Sequence, residues 1–512
     1  VPDANVSADF FRAFASGISN KLIKGGAMRG YDFDIGVIGG GAAGLTIVSG
    51  SAQLGAKTLL IEKEKQLGGD CLHFGCVPSK TLIKSAHLYH QMKSAQRYGL
   101  PALDLSPVDF QMLSARIRSV IEAIQKHDSE ERFCRLGAKV EFGHPRFTDE
   151  KTVQLNGKTI SAKTWVLATG SSPAVPPIPG LTETPYLTNR EIFYLDHLPR
   201  SMIVLGGGPI GIEMSQAFRR LGTQVTVVQR ADQILVKEDK DLADEVLNAL
   251  KREGVQFYLD AAVQSVKDLG AEKEVVVTDK SGISFRLKAE TLLVAAGRSA
   301  NVEGLELDSI GVEYDPGGIK VDHRLRTSQK HIFAAGDCNG GFQFTHAAGY
   351  EGSIVVSNAI FRLPRKADYT YMPWCTYCDP ELASIGMNER SAKAAGIEYS
   401  VWNEYFREND RSLCEGESAG RIKMIVNEKE KPIGVQILGP RAGDLIGEWV
   451  AILNGGIKLS SLASAVHPYP TIAEINKKVA AAFFSPKIFS DRVRKGLKLF
   501  FNLKGRACSQ EG

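Results

Sequence analysis

No stretch of this 512-residue chain reaches the roughly 18 uninterrupted apolar positions that a membrane-spanning helix needs. The N-terminus has no basic segment followed by an apolar stretch and a cleavage site, so no secretory leader is expected. A soluble, cytoplasmic-type protein is the expectation. Cysteine is scarce, at 8 residues, too few for a secreted disulfide scaffold. A close cysteine pair is therefore read as catalytic or metal-binding, whereas Cys134 and Cys338 are expected to be small packed residues. Charge of one sign is missing as well. With 62 basic and 58 acidic residues the net charge is only +4, which gives no ground for a nucleic-acid partner, and none is expected.

What is present is ordinary globular composition, 43% hydrophobic and 23% charged, in a chain long enough for three or four domains. Phe10, Phe14, Ile18 and Leu22 recur at helical spacing and predict a short amphipathic helix within residues 1–30. Two buried-strand patterns follow, Asp34-Ile35-Gly36-Val37-Ile38 and Met202-Ile203-Val204-Leu205, each running into a glycine-rich turn and a helix-like segment. The nucleotide-binding unit is thus duplicated within the chain. Residues after about 369 carry no further glycine fingerprint and predict a separate C-terminal domain.

In the first unit, Gly39, Gly41 and Gly44 fit the dinucleotide fingerprint: a tight turn, room for backbone to approach a pyrophosphate, and close helix–strand packing. Amides at the helix start face the phosphates. The next strand, Thr58-Leu59-Leu60-Ile61, ends at Glu62, whose carboxylate can accept ribose hydroxyl hydrogens. In the second unit, Gly206, Gly208 and Gly211 repeat the pattern, but Gln229 and Arg230 stand where the first unit has its acid. Losing a carboxylate and gaining a guanidinium favours a 2′-phosphate, hence NADPH over NADH.

The segment Gly68-Gly69-Asp70-Cys71-Leu72-His73-Phe74-Gly75-Cys76-Val77-Pro78-Ser79-Lys80 carries the most chemistry. Cysteines five apart on a regular helix lie beyond the roughly 4.4–6.8 Å Cα separation of a disulfide, so the backbone between Cys71 and Cys76 must be distorted, and Gly75 can relax it. Pro78 suits a first helical turn, which sets Cys76 near a helix N-terminus whose dipole favours a thiolate.

These residues resemble the active-site segment of the pyridine nucleotide-disulfide oxidoreductases, which include dihydrolipoamide dehydrogenase, glutathione reductase and mercuric reductase. The resemblance runs over nearly the whole chain through Ala168-Thr169-Gly170, Ala296-Gly297-Arg298, Ala335-Gly336-Asp337 and Thr345-His346-Ala347. It implies an α/β fold with two Rossmann-like nucleotide-binding domains and a C-terminal α+β dimerisation domain. The expected divisions are an N-terminal extension (1–30), an FAD domain in two parts (31–185 and 307–368), an NAD(P)H domain (186–306), an interface domain (369–486) and a basic tail (487–512). The resemblance further implies FAD held by Gly39, Gly41, Gly44, Glu62, Thr169, Gly170, Gly297, Arg298, Asp337 and Ala347, with Lys80 and Glu213 near its reactive nitrogen. NADPH falls to Gly206, Gly208, Gly211, Gln229 and Arg230. Cys76 is implied as the thiolate facing the flavin and Cys71 as the thiol meeting substrate.

The thiol-reducing relatives supply an acid–base histidine from the partner subunit in a His-Pro-Thr-x-x-Glu motif. Here the segment reads Tyr469-Pro470-Thr471-Ile472-Ala473-Glu474, with His467 two positions upstream. A phenol with an ordinary pKa near 10 shuttles protons poorly at neutral pH, whereas histidine titrates near 6.5. Mercuric reductases resemble this chain in carrying tyrosine there, although their paired terminal cysteines are matched only by Cys508. Cys375 and Cys378 form a CxxC that can hold a soft metal, act as a second redox pair, or simply pack, since residues three apart on a strand face opposite ways.

The segment from Lys487 to Arg506 holds seven basic residues against Asp491, with Val493, Leu497, Phe500 and Phe501 on one side of a helix. Contact with a membrane surface or an acidic partner is one expectation, and a solvated helix packed on its own subunit the other. The combined expectation is a homodimeric NADPH-dependent flavoprotein that reduces a thiol-bound thiophilic metal ion or a small disulfide. Dihydrolipoamide dehydrogenase activity, and a metal-sequestering or membrane-associated protein on an oxidoreductase scaffold, are the alternatives.

Overall fold

The computed structural model describes residues 30–505 and 507, so the amphipathic stripe from Phe10 to Leu22, Arg506 and Cys508 lie outside the described residues. The β-branched residues Ile35, Val37 and Ile38 drive Phe33–Ile38 into the middle of a seven-stranded sheet. That strand pairs in parallel with Thr58–Glu62 on one side and Lys158–Leu167 on the other. Leu59, Leu60 and Ile61 are inaccessible from either face, as in a parallel sheet covered by helices on both sides. One cover is the helix Ala42–Gln53, which is itself overlaid by Thr345–Ala359.

The second unit repeats this plan. Ser201–Leu205 lies between Gln224–Val228 and Thr291–Val294, with Gln256–Tyr258 outermost, all parallel. In the first sheet, the strands in the same order are Ala138–Phe142, Thr58–Glu62, Phe33–Ile38 and Lys158–Leu167. Each central strand therefore delivers a glycine turn to the carboxyl edge of its sheet, where ligands of open α/β sheets bind.

The third sheet is antiparallel and five-stranded, in the order Pro373–Thr376, Glu381–Gly386, Pro432–Gly439, Arg421–Asn427 and Tyr399–Tyr405. Its core is closed by Trp449, Ile452, Ile475, Val479 and Phe483 from the helices Ala442–Gly455 and Glu474–Ile488. Buried Lys423 fixes this domain to the second nucleotide unit. Its ammonium lies 3.0 Å from Asp239, 3.0 Å from Asp241 and 2.5 Å from Glu389.

Beyond that domain, Ser490 caps the helix Asp491–Phe501 by accepting a hydrogen bond from the Val493 amide. No residue of this helix is buried. No helix among the described residues is long and apolar enough to cross a membrane.

Candidate active site

The redox cysteines occupy a broken helix. Cys71 lies in Gly69–His73, the chain leaves helical geometry at Phe74 and Gly75, and Cys76 opens Cys76–Lys93. A side chain at Gly75 would meet the Asp70 carbonyl at 2.9 Å and Cys71 Cα at 3.2 Å, so glycine is what lets the two cysteines approach. In the dithiol form the Cys71 thiol donates to the Cys76 sulfur, which pulls Cys76 down to about 6 against the cost of burial. The Thr345 hydroxyl, 3.4 Å from Cys76 Sγ, and the Lys80 ammonium lower it further. Cys71 is pushed far upward by the same bond and by burial. One proton is thus shared unequally, with the thiolate on Cys76.

Lys80 and Glu213 pair as the sequence implies, at 2.8 Å. Burial alone would lower the lysine, but Glu213 overrides it and holds it above its ordinary range. The other Glu213 oxygen accepts from the Tyr377 amide, and the ammonium sits 4.5 Å from the Tyr377 ring centre. A fixed positive charge is thereby held beside Cys76.

Both glycine turns and both cysteines line one cavity of about 1840 Å³, beyond the roughly 300–1,000 Å³ of a drug-sized site and suited to large nucleotides. Gly39 has φ +109° and its added Cβ would strike the Ala168 carbonyl at 2.2 Å; Gly206, at φ +117°, would strike Ala295 at 2.3 Å. The added Cβ atoms of Gly44 and Gly211 would lie 1.8 Å and 2.0 Å from the carbonyls of Gly39 and Gly206. Gly208 has open space in front of it, and a Cβ on Gly41 would meet only Gly69 Cα at 3.9 Å, as backbone that receives a phosphate requires. Glu62, Asp337 and Asp70, whose buried Oδ1 lacks a hydrogen-bond partner, supply acceptors on the same wall. These residues fit FAD at the first turn.

Glu62 also braces its turn, accepting from the Gly40 amide at 2.6 Å, and Gln229 does the same from Gly207 at 2.9 Å. The second brace is neutral. Arg230 is exposed on the cavity wall and forms no ion pair among the described residues. Thr169 and Gly170 line the cavity, with the Thr169 hydroxyl donating to the Asn301 carbonyl. Gly297 lines it too. Arg298 ties the redox segment to the sheet, 2.7 Å from both Asp70 Oδ2 and Ser171 Oγ. Ser171 in turn donates to Asp337 at 2.5 Å. Ala347 is fully buried, while Thr345, His346 and Ala348 face the cavity. Sequence reasoning missed Thr345 and the Ser171–Arg298–Asp70 link as site components, although Thr345 opens the family-like block Thr345-His346-Ala347.

Tyr469, Glu474 and His467 do not line this cavity. Tyr469 is 72% exposed, and its hydroxyl donates to Asp410 at 2.9 Å. That bond, with Glu474 nearby, raises the phenol above its ordinary value. His467 is turned inward, 3.1 Å from Glu448, with Nδ1 buried and lacking a hydrogen-bond partner among the described residues.

Cys375 lines the cavity near Lys80, but Cys378 is buried, beyond the end of the strand Pro373–Thr376. The two cysteines therefore do not face opposite ways across one strand. The Cys375 sulfur donates to the Thr376 carbonyl at 3.6 Å, whereas Cys378 lies 3.1 Å from the Pro380 carbonyl and 3.8 Å from that of Thr376, and burial raises both thiols well above their ordinary value. Cys338 is packed as expected, whereas Cys134 is exposed because its helix turns Phe133, not Cys134, into the core. The carboxylate trio Asp239, Asp241 and Glu389 has metal-like spacing but already surrounds Lys423.

The family model for pyridine nucleotide-disulphide oxidoreductases matches residues 33–352, and that for their dimerisation domain matches 372–480. The chain is 32% identical over 457 residues to a mercuric reductase of Staphylococcus aureus, covering 89% of this chain and 83% of that protein. It is equally 32% identical over 465 residues to a dihydrolipoyl dehydrogenase of Bacillus subtilis, covering 88% and 98%. Among solved structures, the Cu(II) complex of the HOCl-induced flavoprotein disulfide reductase RclA from Escherichia coli is similar with TM-score 0.78 and 26% identity. The match covers 87% of this chain and 99% of that one.

Proposed function

The chain belongs to the pyridine nucleotide-disulphide oxidoreductase family, whose members use FAD and NAD(P)H, and from that premise we propose that it reduces a thiol-bound thiophilic metal ion with NADPH. The observation that carries this reading is Tyr469, exposed and hydrogen-bonded to Asp410 in the place of the proton-shuttling histidine. FAD, when bound, supplies the electron transfer between the nicotinamide and the cysteine pair. The chain's own residues do the rest.

Arg230 offers a counter-charge to a 2′-phosphate, and neutral Gln229 braces the turn without repelling it. Lys80, held by Glu213, keeps positive charge beside Cys76. Cys71 holds the shared proton until substrate arrives. A thiophilic ion passing to Cys71 and Cys76 displaces that proton, which leaves with one of the ion's departing thiol ligands while any other departs as thiolate. Two electrons from the pair then reduce the ion as the Cys71–Cys76 disulfide forms, with no proton from a separate donor required. A disulfide substrate does need one, and a phenol raised by Asp410 is not poised near neutral pH to supply it.

Tyr469 and Glu474 lie outside the cavity of their own chain, which supports a twofold dimer in which each copy completes the other's site. Burial raises the Cys375 and Cys378 thiols well above their ordinary value and only Cys375 reaches the cavity, so we assign this pair a packing role rather than a metal-holding one. The related RclA flavoprotein forms a Cu(II) complex, which is in keeping with a thiophilic ion. The substitution Tyr469→His tests the reading. It is expected to raise lipoamide reduction about 10²-fold or more, the usual worth of a positioned acid–base group, while leaving reduction of mercuric ion in excess thiol within a few-fold. Unchanged lipoamide activity would overturn it.

A further inference from the structure

The cavity chemistry leaves the segment after the interface domain unused, and it is built as a docking element. Asp491–Phe501 is capped at both ends, by Ser490 and by Asn502 in the left-handed region at φ 52°, with Asp491 in its first turn and Lys498 in its last. Its 11 residues make a rod about 16 Å long, below the roughly 12–15 residues at which an isolated helix becomes stable in water. Such a helix calls for a surface to lie on, yet none of its residues is buried.

Its two sides differ. Val493, Leu497, Phe500 and Phe501 follow helical spacing along one side, and Phe500 and Phe501 are 79% and 71% exposed, while Phe489, 67% exposed, ends the preceding helix just before Ser490. Arg492, Arg494, Lys495 and Lys498 lie around the rest of the circumference, together with Gly496 and exposed Leu499. Only Arg494 has an acidic partner, Asp491 at 2.8 Å in the same turn. Arg492, Lys495, Lys498 and Lys504 form no ion pair among the described residues.

We propose that this helix lies in the surface of an anionic lipid bilayer, apolar side down, and holds the enzyme against it. Charge decides between occupants. A second copy packed on the same stripe by a twofold axis would bring two basic rims together, whereas anionic headgroups neutralise the rim while acyl chains receive the phenylalanines. The helix is too short to span a bilayer and serves as an interfacial anchor. Anchoring of this kind does not depend on which electron acceptor the enzyme uses.

The test uses the FAD-loaded full chain, sedimented with vesicles of phosphatidylcholine alone or of equimolar phosphatidylcholine and phosphatidylglycerol. Binding is expected only to the anionic vesicles and is expected to be released by high salt. Combining Arg494→Glu, Lys495→Glu and Lys498→Glu is expected to weaken partitioning about tenfold or more, as is Phe500→Ser with Phe501→Ser, with flavin content and NADPH oxidation unchanged. Three results would overturn the proposal. One is absence from the anionic pellet at low salt. Another is unaltered binding after removal of residues 490–512. The last is a lipid-free oligomer that the phenylalanine changes dissolve while vesicle binding persists, which would make a second copy the occupant.

Discussion

At the scale of single residues, the site works through unequal sharing of one proton. Cys76 falls to about 6 because Cys71 donates to it and Thr345 and Lys80 add to the stabilisation. Its folded pKa lies below that of a free thiol, so the thiolate persists above that value and is lost as pH falls through it. In the reduced enzyme, thiolate absorbance is expected to disappear on acidification with a midpoint near 6, and Thr345→Val is expected to move the midpoint up by about half a unit to one unit. An unmoved midpoint would show that Thr345 does not stabilise the thiolate. The cysteines, Lys80 and Tyr469 were legible because each sits in a local motif. The Glu213 partner of Lys80 came with the family resemblance, but the other partners were not legible: Thr345 is 269 positions from Cys76, Asp410 is 59 from Tyr469, and Glu448 is 19 from His467. No spacing rule brings such residues together; only the assembled fold does.

At the scale of elements, the two strand–turn–helix units were readable almost completely, since hydrophobic runs and glycine positions are local signals. Gly44 and Gly211 sit where an added Cβ would press on a carbonyl at 1.8 and 2.0 Å, so each helix must withdraw from its strand if either residue gains a side chain. Gly211→Ala is expected to abolish tight NADPH binding while purified protein keeps its flavin, and Gly44→Ala to yield protein low in flavin. Flavin absorbance and nucleotide titration separate the two, and equal loss of both ligands in both variants would contradict independent turns. Less was legible around Cys375 and Cys378. The sequence cannot say that the strand stops at Thr376, and that stop is what turns Cys378 inward to the Pro380 carbonyl while Cys375 faces the cavity.

At the scale of the molecule, the interface domain and the second nucleotide unit are joined through Lys423, nearly inaccessible among Asp239, Asp241 and Glu389. Removing the cation leaves buried Asp239 without its partner, a change that costs up to about 3–5 kcal/mol for a fully buried pair and less here, because Asp241 and Glu389 are partly exposed. Lys423→Met is therefore expected to lower the melting temperature, and an unchanged value would show that the cluster contributes nothing net. Nothing in the sequence announced this joint, because its four members come from three separate segments. What the whole assembly delivers electrons to is measured most directly by steady-state NADPH oxidation with the wild-type enzyme, setting mercuric ion in excess thiol against lipoamide and glutathione disulfide. The highest kcat/KM is expected for the thiol-bound metal ion; lipoamide as the best substrate by a wide margin would contradict a metal-reducing role.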